Sequence, residues 1–263
     1  MDRRMAAIIK KDLRGILANR QMLCTLLAVP AVMTIILPAV FLSILHFAPE
    51  EMGDLEKLLE MLPLAEQDKD VQINMIRLIL NYILPVFFLM IPIMSSSVMA
   101  AASFAGEKEK RTLETLLYSP LSVKQIFTAK VAASFFLSMS VSSVSFFAML
   151  AVLETGARLT AGSFIMPDRK WLLVLLLISP SISLIAITLT VRISAKAKSV
   201  EAAQQGAVFL LLPVILLLVG QFTGVLLVGT WLLCAVGALC AGMALWLLKR
   251  SMKGFRYETL LKP

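Results

Sequence analysis

Long apolar runs alternate with short polar segments along the whole chain. Six of the runs are long enough, at about 1.5 Å of rise per helical residue, to cross a hydrocarbon layer about 30 Å thick. They are residues 22–47, 78–105, 129–153, 171–191, 202–220 and 225–248. The pattern predicts an all-α polytopic membrane protein with six transmembrane helices in one transmembrane domain, residues 1–263.

Two local features interrupt these spans. The last two follow each other so closely that we predict a tight turn at residues 221–224, and the pattern leaves its position within 220–225 open. Prolines inside a helix remove a backbone donor and crowd an earlier carbonyl, so they predict kinks. Six prolines lie inside the predicted spans: Pro30, Pro38, Pro85, Pro92, Pro180 and Pro213.

The basic residues predict how the chain crosses the membrane. With the N-terminus in the cytoplasm, 19 of the 25 Lys and Arg residues fall in or beside cytoplasmic segments, and 6 fall in the external loops. Positive charge is enriched on the cytoplasmic side of membrane proteins. The count therefore predicts a multi-pass protein of the cell membrane with both termini cytoplasmic. It also attributes the net charge of +8 to topology, with no nucleic-acid partner.

The stretch before the first span, within residues 1–21, predicts an amphipathic helix. Its basic residues lie away from one apolar face, which is formed by Met5, Ile9, Leu13 and Ile16. A basic amphipathic helix beside a span is typical of a helix that lies among lipid headgroups. We therefore predict a cytoplasmic interfacial helix that contacts the lipid bilayer, with a disordered basic tail as the alternative.

The first external loop, residues 48–77, carries the opposite charge, with eight acidic and three basic residues. Leucines at helical spacing, Leu55, Leu58, Leu59 and Leu62, predict a short amphipathic helix inside it. The pattern is compatible both with a lid over the bundle and with a solvated loop.

Several kinds of chemistry are missing from the sequence. The three cysteines lie in apolar runs and His46 is the single histidine, so we expect no metal site. The cores of the spans contain no Asp, Glu, Lys or Arg, which argues against an ion-coupled carrier and an intramembrane enzyme. No phosphate-binding loop of the form G-x-x-x-x-G-K-[ST] occurs, so ATP-driven work would require a partner subunit.

One polar segment, residues 106–128, has a pattern of its own. Glu107 and Arg111 are four residues apart and can pair along a helix. An apolar stripe follows, formed by Leu113, Leu116 and Leu117 and extended by Leu121. Ser119-Pro120 ends this helix, and Ser122 with Gln125 forms a capping box that starts the next one. The polar positions are mixed in charge, which favours docking against a protein groove over docking against headgroups.

The sequence GEKEKRTLETLLYSPLS at 106–122, followed by Lys130, resembles the signature after the second span in permease subunits of type-2 ABC exporters. The nearest branch is the one for sodium efflux and for multidrug or antimicrobial-peptide export. The resemblance implies that the segment couples the permease to an ATPase. The residues it implies are Gly106, Glu107, Lys108, Glu109, Arg111, Thr112, Leu113, Glu114, Leu116, Leu117, Ser119 and Pro120.

Two features depart from that family. Arg111 stands where many members have glycine, and we expect this bulkier residue to keep the helix running and to move the bend elsewhere. The first external loop is shorter than in several sodium-efflux members, which weakens the case for that substrate.

The resemblance implies an exporter in which two six-span permease subunits, identical or related, line a path. Two ATPase subunits would bind ATP and Mg, while this chain would hold no cofactor and would not itself be an enzyme. Two other functions stay open: a passive channel, and a membrane scaffold or sensor subunit that recruits a partner through the same segment. The sequence does not indicate whether the substrate is an ion, a drug, a peptide or a lipid.

Overall fold

The computed structural model describes residues 3–47, 71–112, 121–161, 167–222 and 230–254, and the secondary structure within these ranges is helical. An N-terminal helix, α1 (Arg3–Ala18), precedes six long helices. The long helices are α2 (Arg20–Phe47), α3 (71–109), α4 (Val123–Ala161), α5 (Lys170–Lys196), α6 (200–222) and α7 (Thr230–Gly254).

Each long helix contains a stretch that is long and apolar enough to cross a membrane, which confirms the predicted class and the six spans. Some boundaries differ from the prediction. Helix α3 begins at Val71, inside the loop predicted at 48–77, because apolar residues continue its buried face in that direction. Helix α6 continues through Phe222, so residues 221 and 222 belong to this helix and not to the turn that was predicted at 221–224. The helix predicted at 55–62 lies outside the described residues.

Helix α3 is the central helix of the bundle. In its most apolar stretch 72% of the residues are buried, against 17% in α7. It packs against α2, α4, α5 and α6, whereas α7 packs on the outside against α5. Small and hydroxyl side chains such as Ser95, Ser96 and Ala100 are fully buried in α3. Side chains of this size let helix backbones approach closely, which is how helices pack inside a membrane.

Three prolines alter the helices in the same way. The residue before each proline donates its N–H to the carbonyl five residues before that residue. The helix widens in this way because the proline ring crowds the carbonyl four residues before the proline. The resulting π-helical turns are Val32–Ile36 before Pro38, Ile79–Ile83 before Pro85 and Val174–Ile178 before Pro180. By contrast, Pro30 lies within the α-helical segment Arg20–Ala31.

The N-terminal helix α1 is present as predicted, but its apolar face packs against protein. Ile9 and Ile16 are buried, and Met5 and Leu13 are partly buried, in a cluster with apolar residues of α3 and α4 such as Ile126. Ile9 and Ile16 therefore contact protein and not lipid headgroups, while the placement of the helix at the membrane interface stays a prediction. The complementary apolar surface of α3 and α4 covers this face.

We call the end of the bundle that holds α1 and Glu109 the basal end, and the end that holds Trp171 the distal end. Trp171, at the start of α5, is 1% exposed, and its ring centroid lies 5.4 Å from that of Phe88 and 5.2 Å from that of Phe146. Its Nε1–H donates to the carbonyl of Leu80 at 3.0 Å. That carbonyl is available because the π-helical turn shifts the local hydrogen bonds by one residue.

Candidate functional site

Helix α3 ends at Glu109 with a specific hydrogen-bonded turn. The N–H of Thr112 donates to the Glu107 carbonyl at 2.9 Å, and the N–H of Arg111 donates to the Lys108 carbonyl at 3.1 Å. These two bonds define a Schellman motif, whose turning residue has a left-handed backbone.

Arg111 occupies that turning position, with φ of 56°. The prediction that Arg111 keeps the helix running is therefore wrong, and the chain turns at this residue. A side chain in the left-handed region costs about 1 kcal/mol. The two hydrogen bonds of the motif offset this cost by satisfying carbonyls of the last helical turn.

The carboxylate of Glu107 is directed into the protein. Its Oε1 accepts a hydrogen bond from Lys11 Nζ at 2.8 Å, and its Oε2 lies 2.9 Å from Lys130 Nζ. The predicted pairing of Glu107 with Arg111 along the helix is wrong, because the helix ends before Arg111 and two lysines from other helices are closer partners. Glu107 thus connects α3 to α1 and to α4.

Lys130 is the most deeply buried charge of this site, with 1% of its side chain exposed. Its ammonium donates to the Ser103 carbonyl at 2.6 Å and to Ser103 Oγ at 3.1 Å, and it lies 3.6 Å from Asp12 Oδ2. Burying an ion costs several kcal/mol unless close partners compensate it. Lys130 has two carboxylates and a backbone carbonyl as such partners.

Asp12 completes the group from the side of α1. Its side chain is 6% exposed, and its Oδ2 accepts a hydrogen bond from Ser103 Oγ at 2.6 Å. We call Lys11, Asp12, Glu107 and Lys130 the ionic cluster. Its two cations balance its two anions. Asp12, Glu107 and Lys130 are buried, whereas 59% of the Lys11 side chain is exposed.

The charge on Lys11 depends on the same contacts. Burial lowers the pKa of Lys11, but the hydrogen bond and charge of Glu107 and the charge of Asp12 raise it, and the net pKa is above its ordinary value. A raised pKa means that this lysine stabilises the fold below its ordinary pKa, and that the contribution is lost as the pH rises through the raised value. Lys11 therefore stays charged throughout the physiological range.

The next two side chains of α3 contact different helix ends. Lys108 Nζ donates to the carbonyl of Ala195 at 3.2 Å, in the last turn of α5. Glu109 Oε2 accepts from the N–H of Val200 at 3.0 Å, in the first turn of α6. A cation at a helix C-terminus and an anion at a helix N-terminus each complement the helix dipole. Gly106 lies beside them, and a Cβ at this residue would be 3.4 Å from Val200 Cγ2.

A cavity of about 230 Å³ lies next to the ionic cluster. Part of its wall is charged, with Lys11, Asp12 and Glu107, and part is apolar, with Ile16 and Met22. The cavity shows that α1 covers the cluster without filling all the space between α1 and α3.

The structure places only part of the predicted segment. Gly106, Glu107, Lys108, Glu109, Arg111 and Thr112 form one connected site at the basal end, whereas the leucine stripe lies outside the described residues. The members that lie outside are Leu113, Glu114, Leu116, Leu117, Ser119 and Pro120.

The chain is described again from Leu121, which is buried against α1 and α4 rather than presented to a partner. The predicted capping box is confirmed at the start of α4. The Ser122 N–H donates to Gln125 Oε1 at 2.9 Å, and the Gln125 N–H donates to Ser122 Oγ at 3.3 Å.

The sequence patterns do not identify Asp12, Ser103 or Lys11 as site residues. Lys130 enters them only as the lysine that follows the motif at 106–122. Two signals in the sequence point to Asp12 and Lys130. Asp12 is the single acidic residue of α1, and Lys130 is a lone cation inside the otherwise apolar and hydroxyl stretch 126–140. A lone charge of this kind implies a partner in another helix.

A comparison with known families finds a match for most of the helical bundle. The family model described as "ABC-2 family transporter protein" matches residues 69–232, which span α3 to α6 and the first residues of α7. A search of curated proteins finds no match to the chain. The matched region contains Glu107, Lys108, Glu109 and Lys130, while α1 with Lys11 and Asp12 precedes it.

Proposed function

The chain belongs to the ABC-2 family of transporter proteins, and on that premise we propose that it is the permease subunit of an ATP-driven exporter. One observation carries the proposal. The residues directly before segment 113–120 are fixed to α1, α4, α5 and α6 by Glu107, Lys108 and Glu109. A segment that receives force from a partner needs such a rigid attachment to the spans.

The basal end faces the cytoplasm in this proposal. The excess of basic residues in the segments at that end supports the orientation, and both chain termini then lie in the cytoplasm. The membrane is the cell membrane, where export requires the permease to reside.

Two permease subunits, identical or related, enclose the translocation path. Two ATPase subunits bind below them and hold ATP and Mg, since this sequence has no phosphate-binding loop of its own. Closure of the ATPases around ATP moves the coupling segments and shifts the spans between inward-open and outward-open arrangements. The energy of transport therefore comes from the partner.

The ATPase docks on the leucine stripe of segment 113–120. Leu113, Leu116 and Leu117 share one helical face, and an apolar face on a short helix outside the membrane has to be covered. Leu121 is already buried within this chain, so the surface available for the partner ends before it.

Four substrate classes are candidates. The branch that the segment resembles exports ions, drugs and peptides, and lipids are the fourth class. A screen of ATP hydrolysis in nanodiscs tests these classes directly. The substrate class is the one whose addition raises the hydrolysis rate of the complex above its basal value.

The docking surface is tested by the variant Leu113→Glu/Leu117→Glu, with the ATPase subunit of the exporter as the partner. We expect the variant to insert normally and its affinity for the ATPase to fall by at least about tenfold, because two charges replace the apolar contact. Co-purification and ATP hydrolysis in nanodiscs are the measurements. Leu17→Glu, on an exposed position of α1, is the matched control and should bind as the wild type does.

Three other results would contradict parts of this proposal. A double variant that binds the ATPase normally would show that the docking face is elsewhere. A wild-type chain that conducts ions without an ATPase would be a channel. A wild-type complex in which no substrate class changes ATP hydrolysis would support a scaffold or sensor subunit.

A further inference from the structure

Three consecutive charged residues at the end of α3 contact four different helices. Glu107 reaches Lys11 of α1 and Lys130 of α4. Lys108 reaches the last turn of α5, and Glu109 reaches the first turn of α6. A single helical turn therefore connects the start of the coupling segment to most of the basal end.

We propose that Glu107, Lys108 and Glu109, with Lys130 as the partner of Glu107, form a transmission site that conveys movement of the coupling segment to α1, α4, α5 and α6. This inference rests on the proposed function and deepens it. It assigns these residues to contacts within the chain, where the resemblance alone would assign them to the contact with the ATPase. The docking surface then begins after Thr112.

The burial of Glu107 supports this division. Only 9% of its side chain is exposed, and both of its carboxylate oxygens lie within 3 Å of a lysine. To reach a partner protein it would have to leave Lys130 buried without its closest anion, which is a strongly unfavourable arrangement. Glu107 is therefore a positioning residue that acts through Lys130.

The contacts of Lys108 and Glu109 support the transmission to α5 and α6. Helix α5 ends at Lys196 and the next helix begins at Val200, so residues 197–199 form the whole connection. Lys108 donates to the Ala195 carbonyl just before this short connection, and Glu109 accepts from the Val200 N–H just after it. A displacement of α3 at this turn therefore acts on both helix ends at once, and only three residues separate them.

The Schellman turn keeps the transmission site next to the coupling segment. Its two backbone bonds fix Arg111 and Thr112 relative to Glu107 and Lys108. Movement of residue 113 is thus carried into α3 through a hydrogen-bonded turn rather than through a flexible linker.

The test measures conformational response separately from ATPase binding. Spin labels are placed at Leu159→Cys in α4 and Leu172→Cys in α5, both exposed near the distal end, after the native cysteines have been replaced. Distances are measured by double electron–electron resonance in nanodiscs that contain the permease and its ATPase, without nucleotide and after trapping with ATP, Mg and vanadate. No transported substrate is needed.

The informative variants are Glu107→Gln/Lys130→Met and Glu109→Ala. The first removes both charges of the buried pair and so leaves no buried lysine unpaired. Lys11 also loses Glu107, but 59% of its side chain is exposed to solvent. Glu109→Gln keeps an acceptor for the Val200 N–H and should respond between Glu109→Ala and the wild type. Lys110→Gln is the matched control, since Lys110 is an exposed neighbour whose side chain makes no hydrogen bond or ion pair to another helix within the described part of the chain.

We expect the informative variants to bind the ATPase with wild-type affinity and to lose most of the nucleotide-dependent change in distance. The control should keep the full change. Variants that respond as the wild type does would overturn the inference. So would a loss of ATPase affinity of about tenfold, since that would make these residues part of the docking surface. A wild-type chain that binds no ATPase would instead contradict the proposed function, and the inference with it.

Discussion

The two ends of the bundle are held together by different forces. At the basal end, Glu107 and Lys130 form a buried ion pair with Lys11, Asp12 and Ser103 around it. At the distal end, Trp171 packs between aromatic rings and its indole N–H donates one hydrogen bond. The distal end also holds a buried cation, Lys170, which lies 3.3 Å from Asp168 Oδ2. That pair lies within two residues of the chain, and the helices there meet mainly through aromatic rings, whereas ion pairs connect three helices at the basal end.

This difference indicates which end responds to a partner. Ion pairs and hydrogen bonds act between particular atoms, so a small shift of one helix changes the energy of its neighbours. Aromatic packing fills space and keeps most of its contacts when helices tilt slightly. The basal end is therefore suited to respond to movement of the coupling segment, and the distal end is suited to keep its aromatic contacts while α4 and α5 tilt relative to each other.

The largest effect is expected from breaking the ion pair at the basal end. Lys130→Met should lower the free energy of unfolding by about 3 kcal/mol, because Glu107 and Asp12 lose their buried cation. Chemical unfolding in detergent micelles, followed by tryptophan fluorescence, measures the loss. The double variant Glu107→Gln/Lys130→Met should recover a large part of it. A single variant as stable as the double would show that the charge pairing does not stabilise this end.

Removal of the aromatic ring should have a slightly smaller effect at the distal end. Trp171→Ala leaves a cavity between Phe88 and Phe146 and should cost about 2–3 kcal/mol. The cost is lower than in a soluble core because lipid also solvates apolar side chains. Trp171→Phe keeps most of the volume and loses the bond to Leu80, at about 1 kcal/mol. Equal losses in the two variants would show that the hydrogen bond, rather than the volume, holds this end.

The smallest effect concerns the turn that follows the ionic cluster. Arg111→Gly should raise the free energy of unfolding by about 1 kcal/mol, because glycine adopts the left-handed backbone without strain. Lys110→Gly, one residue earlier where φ is −78°, should lower it by about 0.5–1 kcal/mol. Thermal unfolding of the two variants measures the difference. A decrease for Arg111→Gly would mean that the arginine side chain stabilises the turn by more than its backbone costs.

The sequence predicted the features that depend on neighbouring residues. The six spans follow from the length and composition of each apolar run, and the capping box at Ser122 and Gln125 follows from their spacing. The helix α1 and its apolar face also follow from local periodicity, including the buried Ile9 and Ile16. These elements depend on residues that are close together in the chain, so the sequence pattern predicts them.

The prediction for Arg111 failed for a physical reason. Its side chain is compatible with a helix, and helix propensity alone gives no signal for a left-handed turn. The turn forms because the last residues of α3 are committed to other helices, with Glu107 on Lys130 and Glu109 on Val200. The neighbouring helices, and not the local sequence, fix where α3 ends.

The sequence by itself determined that six helices span a membrane, and it singled out the segment after the second span. Only the tertiary structure decided that Asp12, Glu107 and Lys130 form one cluster and that the apolar face of α1 is covered by protein. Lys11 and Glu107, for example, are 96 residues apart in the chain. The energy of a charge depends on its distance to other charges and on its burial, and helix packing sets both.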